Sequence, residues 1–184
     1  LHFGIDGVWM PETLRPWPGG APGLLEGKRI RDLTWPEHDH PDVWMRTPAA
    51  QWALLFWRRY QMTGDETFLA DKTYPLLKGA ADFYAAYVEK RADGKYHVPH
   101  AMPIEQRPVG DDPITDLSCI QWLFPAAIEA CRILQRDQED IPLFKDILTH
   151  LAPYPRWKDQ YAYVTVDGQP YPLENSPLPN GKIA

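Results

Sequence analysis

The chain has 184 residues, 44% of them hydrophobic and 24% charged, which is enough apolar material for one globular domain and excludes a disordered chain. Its 19 basic and 25 acidic residues leave a net charge of -6, so no nucleic-acid partner is expected, because affinity for a phosphate backbone rests on Lys and Arg. No run of about 18 uninterrupted apolar residues occurs, the longest greasy stretch being Ala49 to Trp57, and no membrane partner is expected.

Residues 1–47 are rich in Pro, Gly and Trp and read as a long loop; the 20 prolines and 12% aromatics of the chain imply shaped loops throughout. The chain begins at Leu1 with no basic region followed by an apolar one, and this start reads as an internal cut. Within the segment, Glu12 stands close to Trp9, a pairing that can hold a sugar by hydroxyl hydrogen bonds and ring stacking, or can simply build a turn. Trp44 is a second stacking candidate. The knot Glu37, His38, Asp39, His40 and Asp42 lacks a distant third ligand and reads as solvated loop, not as a metal site.

Thr47 and Pro48 mark a helix start, with a hydroxyl at the N-cap and proline in the first turn. The helix that follows is apolar nearly all round and must be enclosed by others. Gly64 suits its left-handed C-terminal position, and Asp65 can cap the next helix. That second helix, broken or restarted near Tyr74 and Pro75, places Leu76, Ala80, Phe83, Tyr84, Tyr87 and Val88 on one face, with Lys78, Asp82 and Glu89 outside. The pattern then repeats. A helix from Asp116 to about Arg136, bent at Pro125, is followed by a polar turn over Asp137 to Asp140 and an amphipathic segment ending near Leu151. Cys119 and Cys131 fall on one helix, roughly 18 Å apart at 1.5 Å per residue, so they read as buried thiols that cannot pair.

The two inner-type helices begin about 67 residues apart, the sign of an αα-hairpin repeat. The organisation is thus a single all-α domain: loop 1–47, hairpin 48–90, loop 91–115, hairpin 116–151 and loop 152–184. Because antiparallel helices alternate in direction, the three long segments gather at one end and the tight turns at the other. Function is expected at the loop end.

The loop between the hairpins holds Glu105, flanked by Met102, Pro103, Ile104 and Pro108. A carboxyl group among apolar neighbours on stiff backbone can have the raised pKa of a general acid; it can equally be a surface glutamate paired with Arg107. His97 and His100 read as loop hydrogen-bonders or catalytic groups. Asp111, Asp112 and Asp116 have a spacing that can hold magnesium, but Pro113 interrupts them and capping of the next helix is the simpler role. No nucleophile elbow, phosphate-cradling glycine loop or CxxC knuckle is present.

Four stretches carry a family resemblance: Gln51-Trp-Ala-Leu-Leu-Phe-Trp-Arg-Arg-Tyr-Gln-Met-Thr-Gly-Asp65-Glu-Thr-Phe-Leu69, Tyr74-Pro-Leu-Leu-Lys-Gly-Ala-Ala-Asp-Phe83, Asp112-Pro-Ile-Thr-Asp116, and Leu148 to Pro155. They resemble the six-hairpin (α/α)6 glycosidases, and most closely glycoside hydrolase family 95, of the α-L-fucosidase type. The resemblance implies αα-hairpins forming part of an (α/α)6 barrel, or toroid, with long irregular loops at one end, and cleavage of glycosidic bonds by an inverting mechanism; no cofactor or metal is expected. It implies an oligosaccharide or polysaccharide substrate and a periplasmic or extracellular setting. The family's Ser-Pro-Glu-Asn motif, whose glutamate is the general acid, corresponds here to Pro103-Ile104-Glu105-Gln106. The resemblance thus implies Glu105 as the acid. It puts the catalytic base downstream and water-positioning asparagines upstream, neither with a counterpart in this sequence, so the chain reads as the middle of a domain completed by further hairpins.

Trp9, Glu12, Trp44, His100 and Asp112 are the candidate substrate contacts at the loop end, and Trp52, Phe56, Leu123 and Ile128 are expected to await neighbours from the missing hairpins. The competing readings are a noncatalytic helical module that binds carbohydrate or protein through the same loops, and magnesium-dependent prenyl chemistry at Asp112 and Asp116.

Overall fold

A computed structural model describes Gly7, residues 45–104 and residues 108–172. It is an all-α core of two αα-hairpins with a small β ribbon at one end. The first hairpin consists of α1 (Pro48–Thr63), then α2 (Glu66–Phe68), a π-helical turn (Leu69–Thr73) and α3 (Tyr74–Tyr87). The second consists of α4 (Ile114–Leu134), a 3-10 turn (Gln138–Asp140) and α5 (Ile141–Thr149).

The local stop signals act as physical chemistry requires. Gly64 closes α1 at φ 64°, its N–H donating to the Tyr60 carbonyl, and the Asp65 carboxylate accepts the Phe68 N–H at 2.9 Å to start the return helix. Pro75 has no N–H to give, and just before it the chain widens into the π turn, where the Tyr74 N–H donates to Leu69 five residues back. Thr47 does occupy the N-cap, but its hydroxyl accepts from the Gln51 side chain at 3.3 Å and caps no backbone donor. Pro125 leaves α4 unbroken: it and Gln121, whose carbonyl loses the bond, are both exposed, so water can serve that oxygen.

The core lies between the hairpins. Ala49, Ala50 and Ala53 of α1, Leu77, Phe83 and Tyr84 of α3, and Leu117, Ile120, Leu123 and Phe124 of α4 are buried in one cluster where these three helices pack together. Phe124 stacks on Phe144 of α5 at 4.9 Å. Helix α4 is long and apolar enough in composition to cross a bilayer, yet just over half of that stretch is buried here, and the helix packs on α1, α3, α5 and the ribbon. Cys119 and Cys131 are buried free thiols.

Two expectations about enclosure need correction. Leu123 and Ile128 are buried by this chain alone, whereas on α1 the stripe Trp52, Leu55 and Met62 is exposed at 46%, 57% and 87%. Phe56 is half-buried because it stacks on Phe68. The Lys78 and Asp82 face of α3 is likewise not simply outside: Lys78 bridges Asp82 at 2.6 Å and Asp140 of the second hairpin's turn at 2.8 Å.

The long segments at the other end contain strands that the irregular-loop reading lacked. β1 (Glu89–Lys90) and β2 (Tyr96–His97) form a short hairpin, and β3 (Arg156–Trp157), β4 (Gln160–Val166) and β5 (Gln169–Pro172) an antiparallel meander with β4 in the centre. The signal was present. Asp167 and Gly168, both at positive φ, join β4 to β5, and Asp-Gly between alternating residues is the sequence of a two-residue hairpin turn.

Candidate active site

The segment between β2 and α4 leaves the ribbon and returns to it through a closed neck. Ala101 and Gly110 exchange both backbone bonds, at 2.9 and 3.1 Å, so residues 102–109 form an excursion whose ends are tied together. One step further out, the Asp112 N–H donates to the Val98 carbonyl at 2.8 Å and the Val98 N–H to Asp112 Oδ1 at 2.9 Å. On the far side, Asp111 and Thr165 of β4 exchange bonds of 2.7 and 2.8 Å, which joins the neck to the meander. The chain enters the excursion from the core, Ala101, Met102 and Pro103 being buried, and emerges at Ile104, which is 37% exposed. The apolar neighbours of Glu105 are therefore unlike each other: Met102 belongs to the core and Ile104 to the surface.

Below the neck lies a buried polar network. Tyr87 donates to the Pro99 carbonyl at 2.8 Å, Arg46 Nη2 to the His100 carbonyl at 3.2 Å, and Thr115 to the Pro103 carbonyl at 3.0 Å. Arg46 also donates to the Tyr87 hydroxyl at 3.3 Å and stacks over its ring. Tyr84 donates to Asp116 Oδ1 at 2.8 Å, and Thr115 to Asp116 Oδ2 at 3.3 Å. Burial pushes the Asp116 carboxyl up to about 6, against the opposing pull of the Tyr84 bond, the Arg46 charge and the Thr115 bond. Tyr84 and Tyr87 are held neutral, first by burial; at Tyr84 the nearby Asp116 charge adds to this.

The candidate residues fall into three groups. Glu105, Trp9, Glu12 and Trp44, like the knot from Glu37 to Asp42, lie outside the described residues. His100 is exposed at φ 42°, its backbone gripped on both sides: its carbonyl by Arg46 and Tyr87, its N–H by Asp111 Oδ1 at 3.3 Å. Asp112, buried and at φ 54°, engages both carboxylate oxygens within the protein, Oδ2 being 2.6 Å from His97 Nδ1, while His97 Nε2 lies 3.1 Å from Asp93.

The capping role expected of the aspartates is corrected by this geometry. Pro113 occupies the N-cap of α4; Asp112 holds β2, Asp111 pairs with Arg91 at 2.7 Å, and Asp116 is buried in the first turn. Gly7 lies directly against α3, since a Cβ there would stand 2.3 Å from the Phe83 nitrogen and 2.8 Å from the Gly79 carbonyl oxygen. A cleft of about 320 Å³ between α3 and α5 lies at the Asp140 turn, away from the neck, with Lys78 neutralised by its two aspartates.

Arg46, Tyr87 and Thr115 were not singled out in the sequence. Arg46 had a faint signal, a charge directly before an apolar helix. The tyrosines had none beyond their buried face.

Comparison with known proteins places this geometry in a family. A kojibiose hydrolase of Flavobacterium johnsoniae is 35% identical over 106 residues, covering 56% of this chain and 13% of that protein. A kojibiose hydrolase of Mucilaginibacter mallensis is 32% identical over 100 residues, covering 54% and 14%, and alpha-L-fucosidase 2 of Arabidopsis thaliana is 27% identical over 130 residues, covering 58% and 15%. The chain thus spans about one seventh of these relatives' length. A solved structure of a proposed kojibiose phosphorylase from the human microbiome aligns with 62% of the chain and 20% of its own, at a TM-score of 0.47 and 12% identity. The glycosyl hydrolase family 95 catalytic domain matches residues 27–160, which include both hairpins, the neck and Glu105, and the chain belongs to that family.

Proposed function

We propose that this chain forms part of the catalytic domain of a glycoside hydrolase and that Glu105 is its general acid. The observation that carries the reading is the closed neck: the matched family region contains one carboxylate in the 102–109 excursion, and the backbone on both sides of that excursion is tied by the Ala101–Gly110 pair. Glu105 would protonate the departing glycosidic oxygen while a carboxylate from another part of the polypeptide activates water, the two standing about 6.5 to 9.5 Å apart in an inverting enzyme. Further hairpins would close the toroid against the exposed stripe of α1.

The substrate is a glycan. The relatives' names divide between kojibiose and α-L-fucoside hydrolysis, which sets the first compounds to try. Trp9, Glu12, Trp44 and His100 are proposed as substrate contacts. His100 is exposed for such a role; Asp112 would act by holding the neck and β2 in register.

The test is Glu105→Gln in the full-length polypeptide that carries this chain. Turnover of the natural glycan should fall by about 10² to 10⁴ with KM nearly unchanged, because the acid acts in the transition state. Aryl glycosides with acidic leaving groups need little protonation and should be spared. Wild-type turnover of the natural glycan by the variant would reject Glu105 as the acid.

A further inference from the structure

We infer that Tyr87 and Thr115, with Arg46, are positioning residues for the general acid, holding the backbone that leads into Glu105 by its carbonyl oxygens; the inference rests on the reading of Glu105 given above. The backbone from Pro99 to Pro103 has neither helix nor a continuous strand to organise it, and two of its five residues are prolines without an N–H. Its polar groups are nonetheless bound almost one by one. The Pro99 carbonyl accepts from Tyr87, that of His100 from Arg46 and Tyr87, that of Ala101 from the Gly110 N–H, and that of Pro103 from Thr115. The His100 N–H goes to Asp111, and the Ala101 N–H to Gly110.

Three side chains from three separate elements supply these bonds: Arg46 from the segment entering α1, Tyr87 from the last turn of α3 and Thr115 from the first turn of α4. An apolar residue at 87 or 115 would fill the same space but leave the Pro99 or Pro103 carbonyl without that donor. What the hydroxyls add is direction: Tyr87 orients the Pro99 and His100 carbonyls and Thr115 that of Pro103, whose own φ is stiff. General-acid catalysis is sensitive to such placement, since an error of about 1 Å at a reacting group can cost on the order of 100-fold in rate. Thr115 supplies the nearest anchor, its bond falling on the carbonyl of Pro103, two residues before Glu105 in sequence.

The experiment compares Tyr87→Phe, Thr115→Val, Thr115→Ser and Glu105→Gln in the full-length polypeptide, on the natural glycan and on aryl glycosides with leaving groups of graded acidity. The expected result is a fall in kcat of about 10- to 100-fold on the natural glycan for Tyr87→Phe and Thr115→Val, with KM little changed and a loss that shrinks as the leaving group becomes more acidic. Thr115→Ser, which keeps the donor, should recover most of the rate.

Amide exchange of the same variants should show faster exchange at Ala101 and Gly110, with α1 and α4 unaffected. Equal loss on every leaving group, or a uniform rise in exchange through the helices, would mean a merely structural role and overturn the inference. So would unchanged kcat in Tyr87→Phe and Thr115→Val while Glu105→Gln is inactive, an outcome that leaves the acid assignment standing. Wild-type turnover in Glu105→Gln would remove that assignment itself, and the inference with it.

Discussion

Gly110 lies so close to Thr165 that a Cβ on the glycine would stand 2.3 Å from the Thr165 carbonyl oxygen and 2.9 Å from Val164 Cγ2. The oxygen is not free to retreat, because it accepts the Asp111 N–H in the pair that joins neck to meander. Gly110→Ala is therefore expected to separate β4 from the neck and to destabilise the chain by about 2 to 4 kcal/mol, as overpacking against fixed backbone does. Chemical denaturation of the 184-residue chain measures it; a loss below about 0.5 kcal/mol would show that the neck and meander yield readily.

Gly64 offers the contrast. Nothing lies within 4 Å of the position a Cβ would take, and only its φ of 64° resists a side chain. Gly64→Ala should cost about 1 kcal/mol. Asp65→Ala, which removes the cap on Phe68, should cost a similar ~1 kcal/mol. Their measured losses in denaturant midpoint should lie well below that of Gly110→Ala, and an inverted order would contradict the close approach at the neck.

Asp116 gives a pH dependence whose sign follows from its burial. Its carboxyl titrates at about 6 in the folded chain against 3.8 without the fold, so the folded state binds the proton more tightly between these values. Its contribution to stability is fully present below pH 3.8 and is lost as pH rises through about 6. Asp116→Asn keeps an acceptor for Tyr84 and removes the titration. The variant's stability curve should lose a downward slope worth at most about 3 kcal/mol across that window. Unfolding free energies at pH 4, 5, 6 and 7 test this, and parallel curves for the two proteins would exclude it.

The exposed stripe on α1 makes different predictions in two settings. In the 184-residue chain, Leu55→Lys and Met62→Lys should change stability by no more than about 0.5 kcal/mol and reduce self-association seen by light scattering. In the full-length polypeptide, where further hairpins are proposed to cover α1, Leu55→Lys should destabilise by about 2 kcal/mol or more. Equal, negligible effects in both settings would argue against that cover.

Much of the helical frame could be read without coordinates because its determinants are local. Gly64, Asp65 and Pro75 act on backbone within five residues, and the apolar spacing of residues 117 to 131 marks α4 over several turns. The strands of the ribbon were also legible in part, through Asp167-Gly168, although the proline-rich surroundings favoured an irregular reading. The inner and outer faces were harder. Burial depends on which neighbours a chain carries, so Leu123 is covered while the equally apolar Leu55 is not.

The sequence by itself determined the two hairpins, the inability of Cys119 and Cys131 to pair, and the resemblance that made Glu105 the residue to watch. Only the tertiary structure decided what grips the backbone before Glu105. Arg46 reaches the His100 carbonyl across 54 positions of sequence and the Tyr87 hydroxyl across 41, and Asp111 meets Thr165 from another segment altogether. Periodicity and capping rules describe bonds that close within a turn or two of helix, so they cannot encode a donor and a carbonyl that meet only after α1, α3 and α4 have packed.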